Sequence, residues 1–255
     1  MSAEKRVMIV TGGSRGIGSA TAKLASLYGF KVCVNYFTHE KEANKVVDAI
    51  KSSGGDGIAV QADTSKEGEV RKLFRTVDRK LGPLTALVNA AGISGGRLDF
   101  VNVNSKTLQK VFGINFFGYF LCAQEATNRF SKKMGGKGGT IVNVSSQAAT
   151  FGGVRLTHYA TSKAAVNAFT IGLARELAPE GIRVNAVSPG IIETPGMKEA
   201  NWGGVPSPKQ LREINRSIPL GRLGNSREVA EAIVWLSLES SSYITGTILP
   251  VAGGR

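Results

Sequence analysis

Short apolar runs rich in β-branched residues alternate with amphipathic stretches from one end of the sequence to the other. The runs have the length of buried strands, and the stretches between them are long enough to form helices. A helix that connects two parallel strands lies over one face of their sheet, so the pattern predicts an α/β fold: a doubly wound parallel sheet of about seven strands with helices on both faces. The predicted strands are residues 7–11, 32–36, 57–61, 86–89, 140–144, 183–187 and 248–251, and the predicted helices are residues 16–28, 40–51, 66–80, 104–130, 157–178 and 226–238.

The chain is predicted to form a single domain over residues 1–255. Its 255 residues, of which 42% are hydrophobic, can bury a large core, and no linker-like composition divides the predicted elements. The longest stretch without a strand or helix pattern is residues 190–225, which contains four prolines. A loop of this length in a compact domain is usually a lid or a binding element, so we expect it to cover a substrate site. Met197, Trp202 and Pro206 are expected to shape the pocket.

Sequence patterning argues against a membrane protein, a disulfide framework and a metal centre. The first apolar run is shorter than a secretory core of roughly 7 to 15 residues, and no apolar stretch reaches the ~18 residues that span a bilayer. We therefore predict a soluble, cytoplasmic protein without a membrane partner. Cys33 and Cys122 lie far apart in apolar surroundings, as buried reduced thiols do. The two histidines, His39 and His158, have no cluster of ligands around them in the sequence, so no metal site is predicted.

The formal net charge of +13 raises the question of nucleic-acid binding, because basic proteins release counterions when they bind phosphates. The basic residues are spread along the predicted helices, however. Their densest cluster, Arg129, Lys132, Lys133 and Lys137, does not show the alternation of cations with stacking aromatic residues that single-strand binders use. A solvated surface without a nucleic-acid partner is therefore favoured. The alternative predicts oligonucleotide binding that collapses with added salt.

The segment VMIVTGGSRGIG runs from the first predicted strand directly into the first predicted helix. Gly12, Gly16 and Gly18 follow the spacing Gly-x-x-x-Gly-x-Gly, which is related to the dinucleotide-binding fingerprint. Glycines are needed in such a turn because it is tight and because the backbone must approach a pyrophosphate at the positive end of the helix. A turn that merely tolerates glycine is the alternative, but the position of the motif favours a nucleotide site.

The end of the second predicted strand bears on which dinucleotide is bound. Enzymes that prefer NAD typically carry an acidic residue there, which binds the ribose 2′-hydroxyl. Here the strand ends with Asn35, Tyr36 and Phe37, and it offers no carboxylate. Arg15, inside the glycine loop, could bind a 2′-phosphate through charge-assisted hydrogen bonds, or it could be solvated. We therefore predict that NADP(H) is preferred over NAD(H).

The segment YATSK, residues 159–163, places a tyrosine and a lysine four positions apart, and it belongs to a series of motifs. In order and spacing, the series resembles the short-chain dehydrogenase/reductase family, in its compact single-domain branch, over essentially the whole chain. Within that family the chain is similar to 3-oxoacyl-acyl-carrier-protein reductases and glucose 1-dehydrogenases. The resemblance implies a Rossmann-type fold. The matching motifs are residues 11–18, Asp63, NAAG at 89–92, Asn115, VNVSS ending at Ser146, Tyr159 with Lys163, and SPGIIET at 188–194.

The resemblance implies a catalytic set of Ser146, Tyr159, Lys163 and Asn115. Tyr159 would exchange a proton with the substrate oxygen, and Ser146, in preference to Ser145, would bind that oxygen. A free tyrosine has a pKa near ~10, and a cation one helical turn away would stabilise its phenolate. Lys163 is also implied to hold the nicotinamide ribose. Asn115 would kink its helix and hold a water that leads to the lysine; a helix–helix hydrogen bond is the alternative role for its amide.

The same resemblance implies the cofactor contacts. Asp63 would accept from the adenine amino group, although an aspartate at this place could also cap the segment that follows it. Ile192, through its backbone, and Thr194 would contact the nicotinamide carboxamide. His158 is expected to be pocket wall or plain surface, because neighbouring helix positions point in different directions. The implied cofactor-binding residues are Gly12, Ser14, Arg15, Gly16, Ile17, Gly18, Asn35, Tyr36, Asp63, Thr64, Asn89, Ala90, Gly92, Tyr159, Lys163, Pro189, Gly190, Ile192 and Thr194.

Two positions depart from the family pattern. Ala90 stands where a second asparagine is usual, which puts one structural amide in doubt and leaves the backbone path intact. Ala252 stands where an aspartate is common, which alters a local hydrogen bond. The hydride chemistry is expected to survive both changes.

These observations predict an NADP(H)-dependent oxidoreductase that transfers hydride between nicotinamide and a carbonyl or secondary alcohol of a small molecule, with ketone reduction the expected direction. A glucose dehydrogenase is the second interpretation, suggested by the segments VNYF and YITG. A non-catalytic dinucleotide sensor is a remote one, because it would require a damaged catalytic set. The family also implies a homotetramer or dimer built on the helices at 104–130 and 157–178, whose several apolar faces could equally serve the core.

Overall fold

Nine strands form in the part of the chain that the computed structural model describes, residues 6–195 and 206–255. Met197 and Trp202, expected to shape the pocket, lie outside the described residues. Each strand predicted from the sequence is present, with its ends shifted by at most two residues. The strands are β1 (Arg6–Thr11), β2 (Phe30–Tyr36), β3 (Gly57–Gln61), β4 (Ala86–Asn89), β5 (Gly139–Val144), β6 (Ile182–Pro189), β7 (Ile192–Glu193), β8 (Gly224–Asn225) and β9 (Ile248–Val251).

The helices follow the predicted alternation with three differences. The stretch 104–130 is a helix interrupted by a π turn at Gly113–Phe117, and a helix lies inside the stretch 190–225 that showed no helix pattern. A short helix at Ala148–Phe151 was not predicted. The α-helices of the described residues are α1 (Gly16–Leu27), α2 (Glu40–Ser52), α3 (Glu67–Leu81), α4 (Ser105–Phe112), α5 (Gly118–Phe130), α6 (Ala148–Phe151), α7 (Thr157–Leu177), α8 (Pro208–Arg216) and α9 (Ser226–Leu236).

Seven strands form one parallel sheet in the order β3-β2-β1-β4-β5-β6-β9. The chain moves outward from β1 to β3 and then returns to place β4 on the other side of β1. At this reversal of strand order, two neighbouring crossovers leave in opposite directions and open a crevice at the carboxyl ends of the strands. The predicted Rossmann-type sheet is thus confirmed, and its switch point lies between β1 and β4.

Alternate residues along the strands serve two separate hydrophobic cores. Met8 and Val10 on β1 face a core formed with α1, α2 and α9, whereas Val7 and Ile9 face a core formed with α3, α5 and α7. Because both faces of the sheet are covered, its strands read as continuous apolar runs rather than as alternating ones. This double burial fixes the positions of the strand ends that carry the site.

The two ends of the segment 190–225 pair with each other as short strands. Ile192 and Glu193 of β7 pair in parallel with Gly224 and Asn225 of β8. Between them, α8 begins with a capping box in which Ser207 bonds the backbone N–H of the third helical residue. The sequence did not reveal α8 because prolines and glycines surround its nine residues. Whether the segment covers a substrate site stays a prediction.

Two cations of the densest basic cluster form ion pairs within the chain. Arg129 binds both Asp78 and Glu125 at 2.8 Å, and Lys133 binds Glu180 at 2.5 Å. Part of the positive charge is therefore neutralised locally, which favours the interpretation of this cluster as ordinary surface. The two cysteines are free and buried, as predicted. None of the helices in the described ranges has the length and hydropathy needed to cross a membrane.

Candidate active site

The glycine loop, residues 12–18, connects β1 to α1 at the carboxyl edge of the sheet. Gly12 and Gly16 have positive φ values of 62° and 54°, a region open chiefly to glycine. A Cβ on Gly12 would lie 2.7 Å from the Cα of Ala91, and a Cβ on Gly18 would overlap the carbonyl oxygen of Gly12. The turn therefore has no room for side chains at these positions.

Two buried side chains fix the glycine loop to the neighbouring strands. The hydroxyl oxygen of Thr11 accepts hydrogen bonds from two N–H groups of the NAAG segment, at 3.0 and 3.2 Å. The amide oxygen of Asn35 accepts from the N–H of Gly12 at 3.4 Å, and its nitrogen donates to the carbonyl oxygen of Ala62 at 3.1 Å. A side-chain contact from Asn35 to a cofactor would have to break these bonds, so the geometry gives Asn35 a positioning role.

The start of α1 fits a dinucleotide. The N–H groups and the dipole of a helix N-terminus attract a pyrophosphate, and within the described residues no cap from the Arg15 side chain occupies that end of α1. Thr194 faces the loop from the other wall of the crevice, where its methyl carbon is 3.4 Å from the position of a Cβ on Gly16. Ser14 and Ile17 lie in the same turn. These residues form a cradle at the switch point, which added Cβ atoms would fill. They would hold the pyrophosphate of a nicotinamide dinucleotide there.

The predicted adenine contacts lie at the ends of β2 and β3. The carboxylate of Asp63 accepts from the N–H of Ser65 at 2.9 Å and from its hydroxyl at 2.7 Å, so it caps the turn before α3. Thr64 is buried between them. Burial, and then the nearby carboxylate of Glu40, raise the pKa of the Tyr36 phenol. Asp63 thus makes a local turn bond ahead of α3 but does not cap the helix, whose N-cap residue is Lys66, and its adenine contact stays a prediction.

The NAAG segment is held from below by a buried row of amides. Asn89, at the end of β4, donates to the side-chain oxygen of Asn143 on β5 at 3.0 Å, and Asn143 donates to the hydroxyl of Thr170 on α7 at 3.0 Å. All three residues are fully buried. The side chain of Asn89 therefore links the strands, while the backbone of Ala90 and Gly92 lines the crevice above it.

The two serines at the end of β5 point to different partners. The hydroxyl of Ser145 donates to the side-chain oxygen of Asn167 on α7 at 2.6 Å, and Ser145 is buried. The hydroxyl oxygen of Ser146 accepts from the N–H of Ala148 at 3.1 Å, and the side chain lies close enough to Tyr159 to lower the pKa of its phenol. The geometry therefore pairs Ser146, and not Ser145, with the tyrosine, as the motif spacing predicts.

Tyr159 lies in the first turn of α7 and is half-buried. Burial raises the pKa of its phenol above its usual value of 10, and the nearby Ser146 side chain acts in the opposite direction. The phenol is therefore protonated at neutral pH. The stabilisation of its phenolate by Lys163 stays a prediction.

Lys163 lies one turn further along α7 and is 3% exposed. Its Nζ donates to the carbonyl oxygen of Val144 at 2.8 Å and to the hydroxyl of Tyr119 at 3.2 Å. Burial lowers the pKa of the ammonium from 10.5 to about 7. A Cβ on Gly92 would lie 3.5 Å from Nζ, so the NAAG backbone forms the other side of the lysine's surroundings.

Asn115 lies in the π turn between α4 and α5 and is fully buried. Its amide oxygen accepts from the N–H of Ile93 at 2.9 Å, and its nitrogen donates to the carbonyl oxygen of the same residue at 2.9 Å. The nitrogen also donates to the hydroxyl of Ser162 on α7 at 3.0 Å. The amide thus makes the helix–helix bond of the alternative interpretation and also clamps the loop after β4. Its part in a water relay stays a prediction.

The end of β6 forms the remaining wall of the site. The N–H of Gly190 donates to the carbonyl oxygen of Val251 at 3.0 Å, and a Cβ on Gly190 would lie 2.9 Å from the Cα of Ala252. The backbone carbonyl of Pro189 accepts from the N–H of Gln147 at 2.9 Å. The side chain of Ile192 is buried in the core, which leaves its backbone as the part available to a cofactor.

His158 is 3% exposed, so the interpretation as plain surface is wrong. The first turn of α7 packs beneath the loop that follows β4, and a Cβ on Gly95 would lie 3.0 Å from Nε2 of His158. Among the described residues, neither ring nitrogen has a hydrogen-bond partner. This histidine is part of the wall and does not reach Tyr159 as a base in any hydrogen bond of the described structure.

Sequence reasoning missed three residues that position the site. The hydroxyls of Thr11, Tyr119 and Ser162 each bond a group that lines the crevice or acts in it. All three carried a usable signal. Thr11 opens the motif at 11–18, Ser162 lies inside YATSK, and Tyr119 follows Asn115 by one helical turn in an otherwise apolar stretch.

Comparisons with known proteins agree with this geometry. A family model described as Enoyl-(Acyl carrier protein) reductase matches residues 12–255. An uncharacterized oxidoreductase of Escherichia coli, YgfF, is 42% identical over 98% of this chain and 99% of its own length. A 3-oxoacyl-[acyl-carrier-protein] reductase of Synechocystis is 38% identical over 98% and 96%, and FabG of Staphylococcus aureus, a protein of the same name, is 35% identical over 96% of both chains. The chain therefore belongs to the short-chain dehydrogenase/reductase family, as an oxidoreductase that uses a nicotinamide cofactor on CH–OH or C=O groups of a small molecule.

Proposed function

We propose that the protein is an NADPH-dependent ketone reductase in which Ser146 binds the carbonyl oxygen and Tyr159 donates the proton. The observation that carries the proposal is the proximity of these two side chains, through which Ser146 lowers the pKa of the Tyr159 phenol, at the same edge of the sheet as the glycine loop. Two hydroxyls that lie this close together can both reach one substrate oxygen. Their position across the switch point from the cradle of residues 12–18 supports a shared crevice for substrate and cofactor.

A nicotinamide bound in the crevice supplies the hydride, and the residues of this chain supply orientation and the proton. As the carbonyl carbon is reduced, negative charge develops on its oxygen, where the hydroxyl of Ser146 stabilises it. Tyr159 then gives its proton to that oxygen. The raised pKa of this phenol suits a proton donor, because the group is protonated before the reaction. The ammonium of Lys163, buried on the same face of α7, offsets the charge of the phenolate that remains.

Three features support a preference for NADP(H). The end of β2 at Tyr36 offers no carboxylate for a ribose 2′-hydroxyl, and the carboxylate of Glu40, at the start of α2, acts on the Tyr36 phenol. Phe37 is exposed beside this strand end. Arg15 lies in the glycine loop, where a guanidinium suits a phosphate.

The cofactor proposal is tested by KM values for NADPH and NADH. Arg15→Ala should raise the KM for NADPH and leave that for NADH nearly unchanged. Phe37→Asp should lower the KM for NADH, because it adds the missing carboxylate beside the ribose. Equal use of both cofactors by the wild type would overturn the preference without affecting the catalytic proposal.

The substrate class that we propose first is a 3-oxoacyl thioester. The proposal takes its support from the relatives named 3-oxoacyl-[acyl-carrier-protein] reductase, which match this chain over nearly their whole length. A thioester with a 3-oxo group presents the ketone that the pair of Ser146 and Tyr159 can reduce. Simple ketones, diketones and aldoses form the comparison set, and an aldose as best substrate would favour the sugar dehydrogenase.

We also propose that the protein is a homotetramer whose subunits bury an aromatic face of α5 and α7. Phe116, Phe120 and Phe169 contact one another, with ring centroids 5.3 to 6.5 Å apart. Phe117 and Phe120 are 56% and 41% exposed in the single chain, which is a large apolar area for α-helices to leave in water. Light scattering after gel filtration tests this, and Phe117→Asp should give smaller species. The cytoplasmic location stays a prediction.

The deciding experiment compares the wild type with Tyr159→Phe on the panel of substrates. The nicotinamide absorbance follows NADPH consumption and, in separate assays, the reverse reaction. Turnover should fall by about 10² to 10⁴-fold in the variant, while dinucleotide binding is kept. Tyr243→Phe, at a fully exposed tyrosine, is the matched control. Equal rates in wild type and Tyr159→Phe would refute the mechanism, and tight NADPH binding without turnover of any substrate would favour the sensor.

A further inference from the structure

A second tyrosine touches the catalytic lysine. The hydroxyl of Tyr119 accepts a hydrogen bond from Nζ of Lys163 at 3.2 Å and donates one to the carbonyl oxygen of Val144 at 3.2 Å. The same carbonyl accepts from Nζ at 2.8 Å, so the three polar groups form a closed triangle. Nζ also lies 4.9 Å from the centre of the Tyr119 ring. The phenol and the ring face thus both contact the ammonium.

The triangle is shut off from water. Tyr119 is 1% exposed and Lys163 is 3% exposed, and the carbonyl belongs to the buried end of β5. A charged amine in such a place is stable only where hydrogen bonds replace the water that it has lost. Val144 and Tyr119 provide two acceptors for an ammonium that has three protons. The third proton of the ammonium has no partner in the triangle. In the proposed mechanism it faces the cofactor ribose and Tyr159.

We propose that Tyr119 is a positioning residue of the active site, which holds the Lys163 side chain in place and favours its charged form over the neutral amine. The proposal goes beyond the reductase mechanism and rests on it only for its consequence in turnover. Tyr119 reaches this place because it lies one turn after Asn115, so the π turn presents both residues to the interior.

The direction of the effect follows from which form the bond stabilises. The phenol oxygen accepts from the ammonium, so removing the hydroxyl disfavours the charged lysine and lowers its pKa. Burial already lowers the pKa of Lys163 to about 7, which brings its titration into the neutral range. The other ionisable groups that act on Tyr119 are Tyr159 on α7 and Cys122 on α5. Burial raises the pKa of the Tyr119 phenol most, and these two groups raise it further. All three of these acids are neutral near pH 7, so Lys163 is the group that titrates there.

The test is the titration of Lys163 itself, in the protein without substrate or cofactor. Lysine labelled with ¹³C at Cε gives one resonance for each lysine, and Lys163→Met identifies the one of interest. In Tyr119→Phe, which keeps the ring and removes the hydroxyl, the midpoint of Lys163 should fall by about one pH unit. Tyr243→Phe, at an exposed tyrosine, should leave it unchanged. An unchanged midpoint in folded Tyr119→Phe would overturn the proposal.

A second measurement needs no substitution at Tyr119 and guards against a variant that does not fold. With tyrosine labelled at ¹³Cζ, the Tyr119 resonance of the wild-type protein should shift as Lys163 titrates. The shift should disappear in Lys163→Met. A Tyr119 resonance that does not respond through the lysine titration would overturn the proposal as well.

The consequence for turnover is measured separately. In ketone reduction, the alkaline limb of the pH profile of kcat/KM should move to lower pH in Tyr119→Phe, with kcat reduced and the substrate KM little changed. If no ketone is turned over by the wild type, the reductase function fails while the two NMR titrations still decide the role of Tyr119. If turnover is present and the limb does not move, the role of Tyr119 in catalysis is refuted.

Discussion

The glycine loop and the catalytic cluster lie on opposite sides of one crevice, and they are built in opposite ways. In the loop, Gly12 and Gly18 shape the site by lacking side chains, because an added Cβ would collide with backbone. In the cluster, Asn115 and Lys163 are buried polar side chains whose groups are paired with named partners. The loop should therefore be damaged by added atoms and the cluster by removed ones. Substitutions in the two regions can separate these two kinds of damage.

After Tyr159→Phe, the largest effect is expected from removing the neighbouring hydroxyl of Ser146. Ser146→Ala should lower kcat/KM by about 10² to 10³-fold, because it removes the donor to the substrate oxygen, and should leave thermal stability nearly unchanged. The adjacent Ser145→Ala is the matched control. It removes a bond to Asn167 and should cost roughly 1 kcal/mol of unfolding free energy with less than about a tenfold loss of activity. Steady-state kinetics and urea denaturation of both variants check the pair, and a reversed pattern would reassign the catalytic serine.

The next effect is expected from adding one carbon to the loop. Gly18→Ala places a Cβ on the carbonyl oxygen of Gly12, and the backbone must shift to admit it. We expect a loss of about 1 to 3 kcal/mol of stability and weaker NADPH binding, measured by denaturation and by fluorescence titration. Gly68→Ala, in α3, is the control, because nothing lies within 4 Å of its Cβ. Equal NADPH affinities in the two variants would contradict the role of the loop.

A smaller effect is expected at the joint between the two regions. Thr11→Val keeps the shape of the side chain but removes the oxygen that accepts from two N–H groups of the NAAG segment. These donors are partly buried, so the variant should lose roughly 1 to 3 kcal/mol of unfolding free energy. Because the same segment contacts Lys163, kcat should fall modestly as well. Hydrogen exchange of the N–H groups of Ala90 and Ala91 measures the change directly, and unaltered protection would rule out the bonding role of Thr11.

The smallest effect is expected at the opposite edge of the sheet, far from both regions. Bonds from the side chain and backbone of Lys133 and from Ser131 lower the pKa of Glu180 from 4.5 to about 2. The native state therefore gains stability from this carboxylate above about pH 4.5, and the gain is lost as the pH falls towards 2.

Glu180→Gln should remove this part of the acid dependence and leave activity at neutral pH intact. Urea denaturation at a series of pH values measures it, with Glu231→Gln, at an exposed ion pair with Arg227, as the control. The same acid dependence in wild type and Glu180→Gln would show that the pairing contributes nothing.

The order of the elements was accessible from the sequence because it depends on local periodicity. Val7 and Ile9 alternate with Met8 and Val10 towards two cores, and that double burial makes a continuous apolar run that can be read without coordinates. The π turn at Gly113–Phe117 was not accessible in the same way, because one extra residue in a helical turn leaves the apolar pattern almost unchanged. α8 was hidden by the prolines around it, and its capping box depends on a geometry that Ser207 adopts only in the fold.

The candidate site also has a part that local motifs predict and a part that depends on the fold. Motif spacing identified Ser146, Tyr159, Lys163, Asn115 and the glycine loop, since each stands in a fixed relation to a strand end or a helical turn. The tertiary structure decided which partner each group has: Ser145 bonds Asn167, Asn35 bonds backbone, and His158 is buried under the loop that contains Gly95. These contacts join residues far apart in the chain, so no local pattern contains them.

The sequence by itself determined the α/β order and the parallel sheet and predicted the residues of the candidate site, because strand and helix periods and glycine spacing act over a few residues. Only the tertiary structure decided that Tyr119 touches Lys163, and that Thr11 and Asn115 hold the loop after β4 through the N–H groups of Ala90, Ala91 and Ile93. Hydrogen bonds between buried groups form where strands and helices from distant parts of the chain meet. The free energy of such a bond depends on burial, which a linear pattern does not record.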